Sequence, residues 1–147
     1  MVWKPNVTVA AIVEQDGRFL CVEEETGSGL MINQPAGHLE DDESLIDAVA
    51  RETLEETAWH FLPTALVGIY RWRQPDRQIT YLRFAFTGKL LEFDNGRTLD
   101  DGIVRALWLS RDDLAQTRDR HRSPQVLRCV DDYQKGIRLP LDTLHDL

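Results

Sequence analysis

At 147 residues, with 42% hydrophobic and 29% charged side chains, the chain has room for one folded domain over 1–147 and is too apolar for global disorder. Its formal net charge of −8 makes nucleic acid a poor partner, and its longest apolar run, Val9 to Val13, is too short to cross a bilayer. The opening Met1 to Val13 lacks the charged leader and cleavage site of a secretory signal, and Cys21 and Cys129 sit in apolar stretches without metal-ligand spacing, so buried thiols in a reducing cytoplasm are expected.

Val7 to Val13 is apolar and β-branched and reads as a strand. Gln15-Asp16-Gly17 supplies a tight turn and Arg18 to Val22 returns, so these two strands are expected to pair as a hairpin. Glu23 to Gly29 is polar and glycine-rich and reads as a loop, and Met31 to Gln34 as a short strand running into Pro35-Ala36-Gly37. Ser44 to Thr57 has no Gly or Pro and follows a run of acids suited to a helix N-terminus, which predicts a helix. Thr64 to Trp72 and Gln78 to Leu91 read as two long strands joined by Gln74-Pro75-Asp76-Arg77, and Ile103 to Leu109 as another strand. Ser110-Arg111-Asp112-Asp113 carries a capping-box pattern that opens a short helix. A last helix starts at Ser123-Pro124, cap then first-turn proline, and stops at Gly136. Strands and helices mix around one expected sheet, so the class is α/β or α+β in layers.

The negative charge is local. Residues 37–60 hold eight acids (Glu40, Asp41, Asp42, Glu43, Asp47, Glu52, Glu55, Glu56) against one base, Arg51, a balance of −7 that leaves −1 for everything else. On a helix, Glu55 lies about 60° to one side of Glu52 and Glu56 about 40° to the other, so the three carboxylates share a face. The same stripe is apolar one and two turns earlier, at Ala48, Val49 and Leu45. A solvated glutamate face is the ordinary explanation of such a cluster. Two features oppose it: the triad continues a core-facing stripe, and no Lys or Arg follows at i+4. Carboxylates that are gathered and partly desolvated take up protons or hold a cation, and their hard oxygens favour Mg²⁺, Mn²⁺ or Ca²⁺ over zinc.

Gly37, five residues, Glu43, seven residues, then Arg51-Glu52-Thr53-Leu54-Glu55-Glu56-Thr57-Ala58-Trp59 resembles the Nudix box, G-x5-E-x7-R-E-U-x-E-E-x-G-U with U bulky and apolar. Ala58 stands where the box has its closing glycine, and Thr53 where it has a bulky apolar residue. Softer likenesses point to the NudJ-type bacterial phosphatases within this MutT-like family: Asn33-Gln34-Pro35-Ala36-Gly37-His38-Leu39-Glu40, Lys4-Pro5-Asn6-Val7-Thr8-Val9-Ala10, Leu82-Arg83-Phe84, and Arg122-Ser123-Pro124 with Tyr133, Gly136, Pro140 and Leu141.

The resemblance implies a mixed sheet in an α/β/α sandwich with a loop–helix–loop catalytic motif. Carried over by position, it implies Mg²⁺, with Mn²⁺ able to substitute, held by Glu52, Glu55, Glu56 and the Gly37 carbonyl. Glu52 becomes the candidate base, while Arg51 turns from the metals to brace a carboxylate and Glu43 has a structural part. It further implies a hydrolase of small diphosphates, nucleoside tri- and diphosphates and hydroxymethylpyrimidine diphosphate among them, releasing orthophosphate and working as a monomer or homodimer. Two rivals stay open: a selective nucleotide pyrophosphatase releasing a nucleoside monophosphate, and a catalytically silent nucleotide-binding module, against which the intact glutamates argue. Outside the box, Arg71, Arg73, Arg77, Arg83 and Lys89 form a basic stretch that reads equally as phosphate contacts, Arg83 favoured among them and Arg71 named with it, or as a solvated, alternating strand face. Trp72, with Tyr70 and Tyr81, could stack on a base, although aromatic residues on strands more often belong to a core. Asp100 and Asp101 read as turn residues before extra ligands, and Arg118, Arg120, His121 and Arg122 as a mobile basic loop.

Overall fold

Two sheets, rather than the one expected, carry the chain in a computed structural model that describes residues 2–147. The strands are β1 (Asn6–Ile12), β2 (Glu14–Gln15), β3 (Arg18–Thr26), β4 (Gly29–Asn33), β5 (Ala36–His38), β6 (Trp59–Gln74), β7 (Ile79–Phe93) and β8 (Ile103–Ser110). The helices are α1 (Leu45–Thr57), α2 (Arg111–Gln116) and α3 (Gln125–Gln134). One sheet has the order β5-β1-β7-β6 and is mixed, because β1 runs parallel to β7 and antiparallel to β5. The other is antiparallel, with β3 between β4 and β8 and β2 beside it.

The expected hairpin is real only at its tip. Asp16 and Gly17 both take positive φ, 52° and 78°, and join β2 to β3, while β1 stays in the first sheet. The chain changes sheets at Val13, whose carbonyl still accepts from Leu20 N at 2.9 Å. Nor is Glu23 to Thr26 a loop: it continues β3, pairing with β4 from Val22 to Thr26. Buried Glu23 is held there by Arg105 and Arg120. Two opposite charges let a strand accept an acid inside, which a residue-by-residue reading does not anticipate.

Alternation along the strands builds two cores on opposite faces. Ile12, Phe19, Cys21, Val67 and Ala85 pack with Leu114 of α2 and Val126, Cys129 and Val130 of α3. Their sequence neighbours Ala11, Leu20, Leu66 and Phe86 pack on the other side with Ala48 and Val49 of α1. Helices therefore cover both faces, giving the layered arrangement expected, and both cysteines are buried free thiols. Among the described residues no helix is long and apolar enough to cross a membrane.

The helix ends follow their sequence signals. Ser44 Oγ accepts from Asp47 N at 3.0 Å to start α1, and Ser110 with Asp113 forms a reciprocal capping box on α2. Pro124 has helical φ and ψ, with Ser123 Oγ accepting from Gln125 N, so the cap-then-proline reading fits α3. Gly136, at φ 83°, closes it with hydrogen bonds to Tyr133 and, through Ile137 N, to Asp132.

Strand β6 begins at Trp59, well before the expected Thr64, and tolerates Pro63 because it is an edge strand with a register shift between Pro63 and Ala65. Opposite Pro63 stands Gly88, where a Cβ would collide with the Leu62 carbonyl. Gly88→Ala is expected to destabilise the protein by about 1–3 kcal/mol through this overlap, read from the urea midpoint.

Candidate active site

Helix α1 and the β5 strand in front of it face each other across the carboxylates. Glu52 and Glu56 are buried, 9% and 7% exposed, and Glu55 is half-buried. Gly37 lies so close to Glu52 that any Cβ there would overlap its Cδ and both carboxylate oxygens. The glycine is thus required by packing, not by an unusual φ. One residue earlier, Ala36 N donates to Glu56 Oε1 at 2.9 Å. Asp100, which the sequence favours as a plain turn residue, is brought in as well: one oxygen each from Glu52, Glu55 and Asp100 lie within 4.8 Å of one another. The Asp100 backbone N donates to the Glu55 carbonyl at 3.0 Å, which ties the β7–β8 loop to the end of α1.

Arg51 does not turn from the cluster. Its Nε donates to Glu43 Oε2 at 2.7 Å, as the pairing reading anticipates, but Nη1 also reaches Glu52 Oε1 at 2.8 Å and Glu55 Oε2 at 3.3 Å. Nη2 donates to the His38 carbonyl at 3.0 Å. This single guanidinium supplies the offset that no i+4 base provides, and it stitches the acidic loop to the helix. Arg51 beside Glu43 pulls that carboxyl below the usual range.

Burial pushes Glu52 up to about 7, with Arg51 opposing, and Glu56 up to about 9, with the Ala36 N–H opposing and Glu24, Glu52 and Asp100 adding repulsion. Burial and a shared hydrogen bond with Asp100 also raise Glu55. Three acids in this state, with Asp100 beside them, suit a hard divalent cation, whose binding displaces protons.

The cluster opens into a cavity of about 590 Å³, the size of a small-molecule site. Glu52, Glu56, Gly37, Trp72, Arg77 and Arg83 are among the residues on its wall. Arg83 is only 4% exposed, and its Nη1 and Nη2 donate to Gln34 Oε1 at 2.8 Å and Asn33 Oδ1 at 2.9 Å. Among the described residues no carboxylate lies within ion-pair distance of it. Trp72 stacks on Tyr81, ring centroids 5.9 Å apart and planes 19° off parallel.

Other expectations move. Arg71 is exposed and sits one residue out of phase with Trp72, so strand alternation turns it from the cavity; this corrects its pairing with Arg83. Tyr70 belongs to the α3-side core and donates to Asp132 Oδ2 at 2.8 Å. The basic loop is anchored: Arg118–Arg120 forms a 3-10 turn, Arg120 and Arg122 pair with Glu23 and Glu24, and His121 is buried. Asp100 had no signal beyond its place before a strand, since the loop closure that delivers it spans more than forty residues from Glu55.

Carboxylates gathered on a loop–helix unit, beside a cavity walled by a buried guanidinium, suit the hydrolysis of phosphoanhydride bonds. The chain belongs to the Nudix family: the NUDIX domain pattern matches residues 3–129. Phosphatase NudJ of Escherichia coli strain K12 is 39% identical over 144 residues, 98% of this chain and 93% of that protein. Phosphatase NudJ of Shigella flexneri matches to the same extent. A NUDIX hydrolase from Nitrosomonas europaea superposes with a TM-score of 0.95 at 52% identity, covering 98% of both chains. The MutT NUDIX hydrolase from Burkholderia pseudomallei shares the fold, with a TM-score of 0.75 at 18% identity over 88% of this chain and 98% of that one.

Gly37→Ala is expected to displace the Glu52 carboxylate and lower turnover by about 100-fold with little change in Tm. Steady-state rates and thermal melts on the same sample check both halves.

Raised carboxyl values also set a pH dependence. Between the ordinary 4.5 and about 7 for Glu52, or about 9 for Glu56, the metal-free folded protein keeps protons that the unfolded chain has released. Their contribution to stability is therefore complete below about pH 4.5 and is lost as pH rises through 7 and 9. In chelator, Tm should fall between about pH 6 and pH 9.5, and a divalent cation should raise it more at the higher pH.

Proposed function

We propose that the protein is a Mg²⁺-dependent phosphatase of nucleoside tri- and diphosphates and related heteroaromatic diphosphates, hydroxymethylpyrimidine diphosphate included, which releases orthophosphate; Mn²⁺ substitutes. The observation that carries this reading is one cavity bearing opposite charges: acids at Glu52 and Glu56, and a buried guanidinium at Arg83 with no acidic partner among the described residues. A substrate with a polyanionic chain satisfies both only if cations lie between it and the acids.

The donor set fits such ions, with Glu52, Glu55, Glu56 and the Gly37 carbonyl as ligands and Asp100 joining them. When bound, divalent cations supply positive charge against the phosphate oxygens and make a water easier to deprotonate. Glu52 is the base assigned to take the proton of the attacking water, set among the acids that would hold the cations. Water adds to the terminal phosphorus, the anhydride P–O bond breaks, and the shortened nucleotide keeps the bridging oxygen. Arg83, rigidly held by Asn33 and Gln34, donates to phosphate oxygens away from the scissile bond. Arg51 keeps Glu52 oriented through its grip on Glu43. Similarity to Phosphatase NudJ over nearly the whole chain supports orthophosphate as the product.

Incubation with Mg²⁺ and GTP should give GDP and orthophosphate, resolved by ion-exchange chromatography; GMP and pyrophosphate as the main products would identify a pyrophosphatase instead. Glu52→Gln should lower kcat by several orders of magnitude while circular dichroism stays unchanged. A near-normal rate in that variant removes Glu52 from the base role.

A further inference from the structure

The mixed sheet acts as a ruler for whatever lies across it. From β5, which packs on the carboxylates, to β6, which carries Trp72, there are three strand spacings, about 14 Å. An extended polyphosphate anchored at the glutamates and crossing Arg83 on β7 therefore places its organic end at β6. Helix α3 packs against β6, and its first residue, Gln125, lines the same cavity.

Gln125 is 7% exposed, and its side-chain carbonyl oxygen has no hydrogen-bond partner. An orphaned buried acceptor has lost its water without gaining a donor, a cost that a ligand's N–H would relieve. Of the other amides on the wall, Asn33 has its oxygen committed to Arg83 at 2.9 Å, and Gln74 is only partly buried. Gln125 thus carries the buried unpartnered amide oxygen of a cavity whose wall also bears Trp72 and Tyr81. Its terminal torsion is broad, so the amide turns toward an arriving ring without leaving its staggered wells.

We propose that Gln125 determines which ring the enzyme prefers, accepting a hydrogen bond from an exocyclic amine on a heteroaromatic base stacked at Trp72. This rests on the phosphatase reading for the placement of the phosphates, but concerns the opposite end of the cavity. The consequence is selection of amine-bearing nucleotides over those that have no donor there.

The test compares ATP with purine riboside triphosphate, which lacks the amine, in the wild type, Gln125→Leu and Gln125→Glu. The wild type should favour ATP by about tenfold in kcat/KM, expressed in KM. Gln125→Leu should raise KM for ATP until the two substrates are equivalent, leave kcat and purine riboside triphosphate unaffected, and hold or raise Tm, because an apolar side chain removes the orphan. Gln125→Glu keeps an acceptor and should keep the preference even if its charge weakens both substrates. An unchanged preference in Gln125→Leu, or equal loss of both substrates, overturns the assignment. Absence of turnover in the wild type would instead sink the hydrolase reading, and calorimetric binding of β,γ-methylene analogues of the same two nucleotides then decides the role of Gln125.

Discussion

The molecule depends on keeping carboxylates out of water beside one another. Glu52 and Glu56 each rest against backbone of the β5 segment, Glu52 on Gly37 and Glu56 on the Ala36 N–H. Desolvated like charges at this separation oppose folding, and among the described residues the only guanidinium within ion-pair distance of Glu52 and Glu55, Arg51, is shared among four acids. Helix α1 can bear this because its remaining faces are set in a core: Ala48, Val49 and Thr53 are fully buried. Packing holds the acids in a position that their own electrostatics resist, which is the condition under which a cation binds strongly and releases protons on binding.

A second constraint has the opposite sign. Arg83 is enclosed with amide oxygens instead of carboxylates, so its charge is oriented but not neutralised. Had Glu or Asp occupied position 33 or 34, a closed ion pair would have left nothing for a ligand's anion. Arg83 stands on β7, two strand steps from the β5 segment that packs on the acids of α1.

Local signals made much of this legible. The periodicity of Ser44 to Thr57, the capping serines and Gly136 specify their elements with short-range chemistry, and the box spacing brings Gly37, Glu43, Arg51 and the three glutamates to one end of a helix. Elements decided by distant partners were not legible. Glu23 to Thr26 reads as a loop until Arg105 and Arg120 arrive to neutralise Glu23, and the division into two sheets follows from β1 choosing β7, seventy residues on, over its neighbour β3. Asp100 joins the acids through a loop closure. Arg71 and Trp72 differ by one step on a strand, so parity alone decides which enters the cavity; naming both ignored the pleat.

The departures from the family box show how the helix end is kept. Ala58 does adopt the left-handed conformation, φ 65° and ψ 10°, that glycine takes without strain, at a penalty of about 1–2 kcal/mol. Its methyl is 3% exposed, and burial of one such group returns about 0.8 kcal/mol, so much of the strain is offset by packing. Thr53 is fully buried with its hydroxyl donating to the Val49 carbonyl at 2.7 Å, and Thr57 does the same to Thr53 at 2.6 Å. These two bonds satisfy the hydroxyls inside the core without drawing on any outside partner. The turn that follows lets Asp94 N donate to the Ala58 carbonyl at 2.8 Å, and Asp100 N to that of Glu55 at 3.0 Å. Helix termination and the fourth carboxylate are therefore parts of the same construction: the chain that caps α1 is the chain that delivers Asp100 to Glu52 and Glu55.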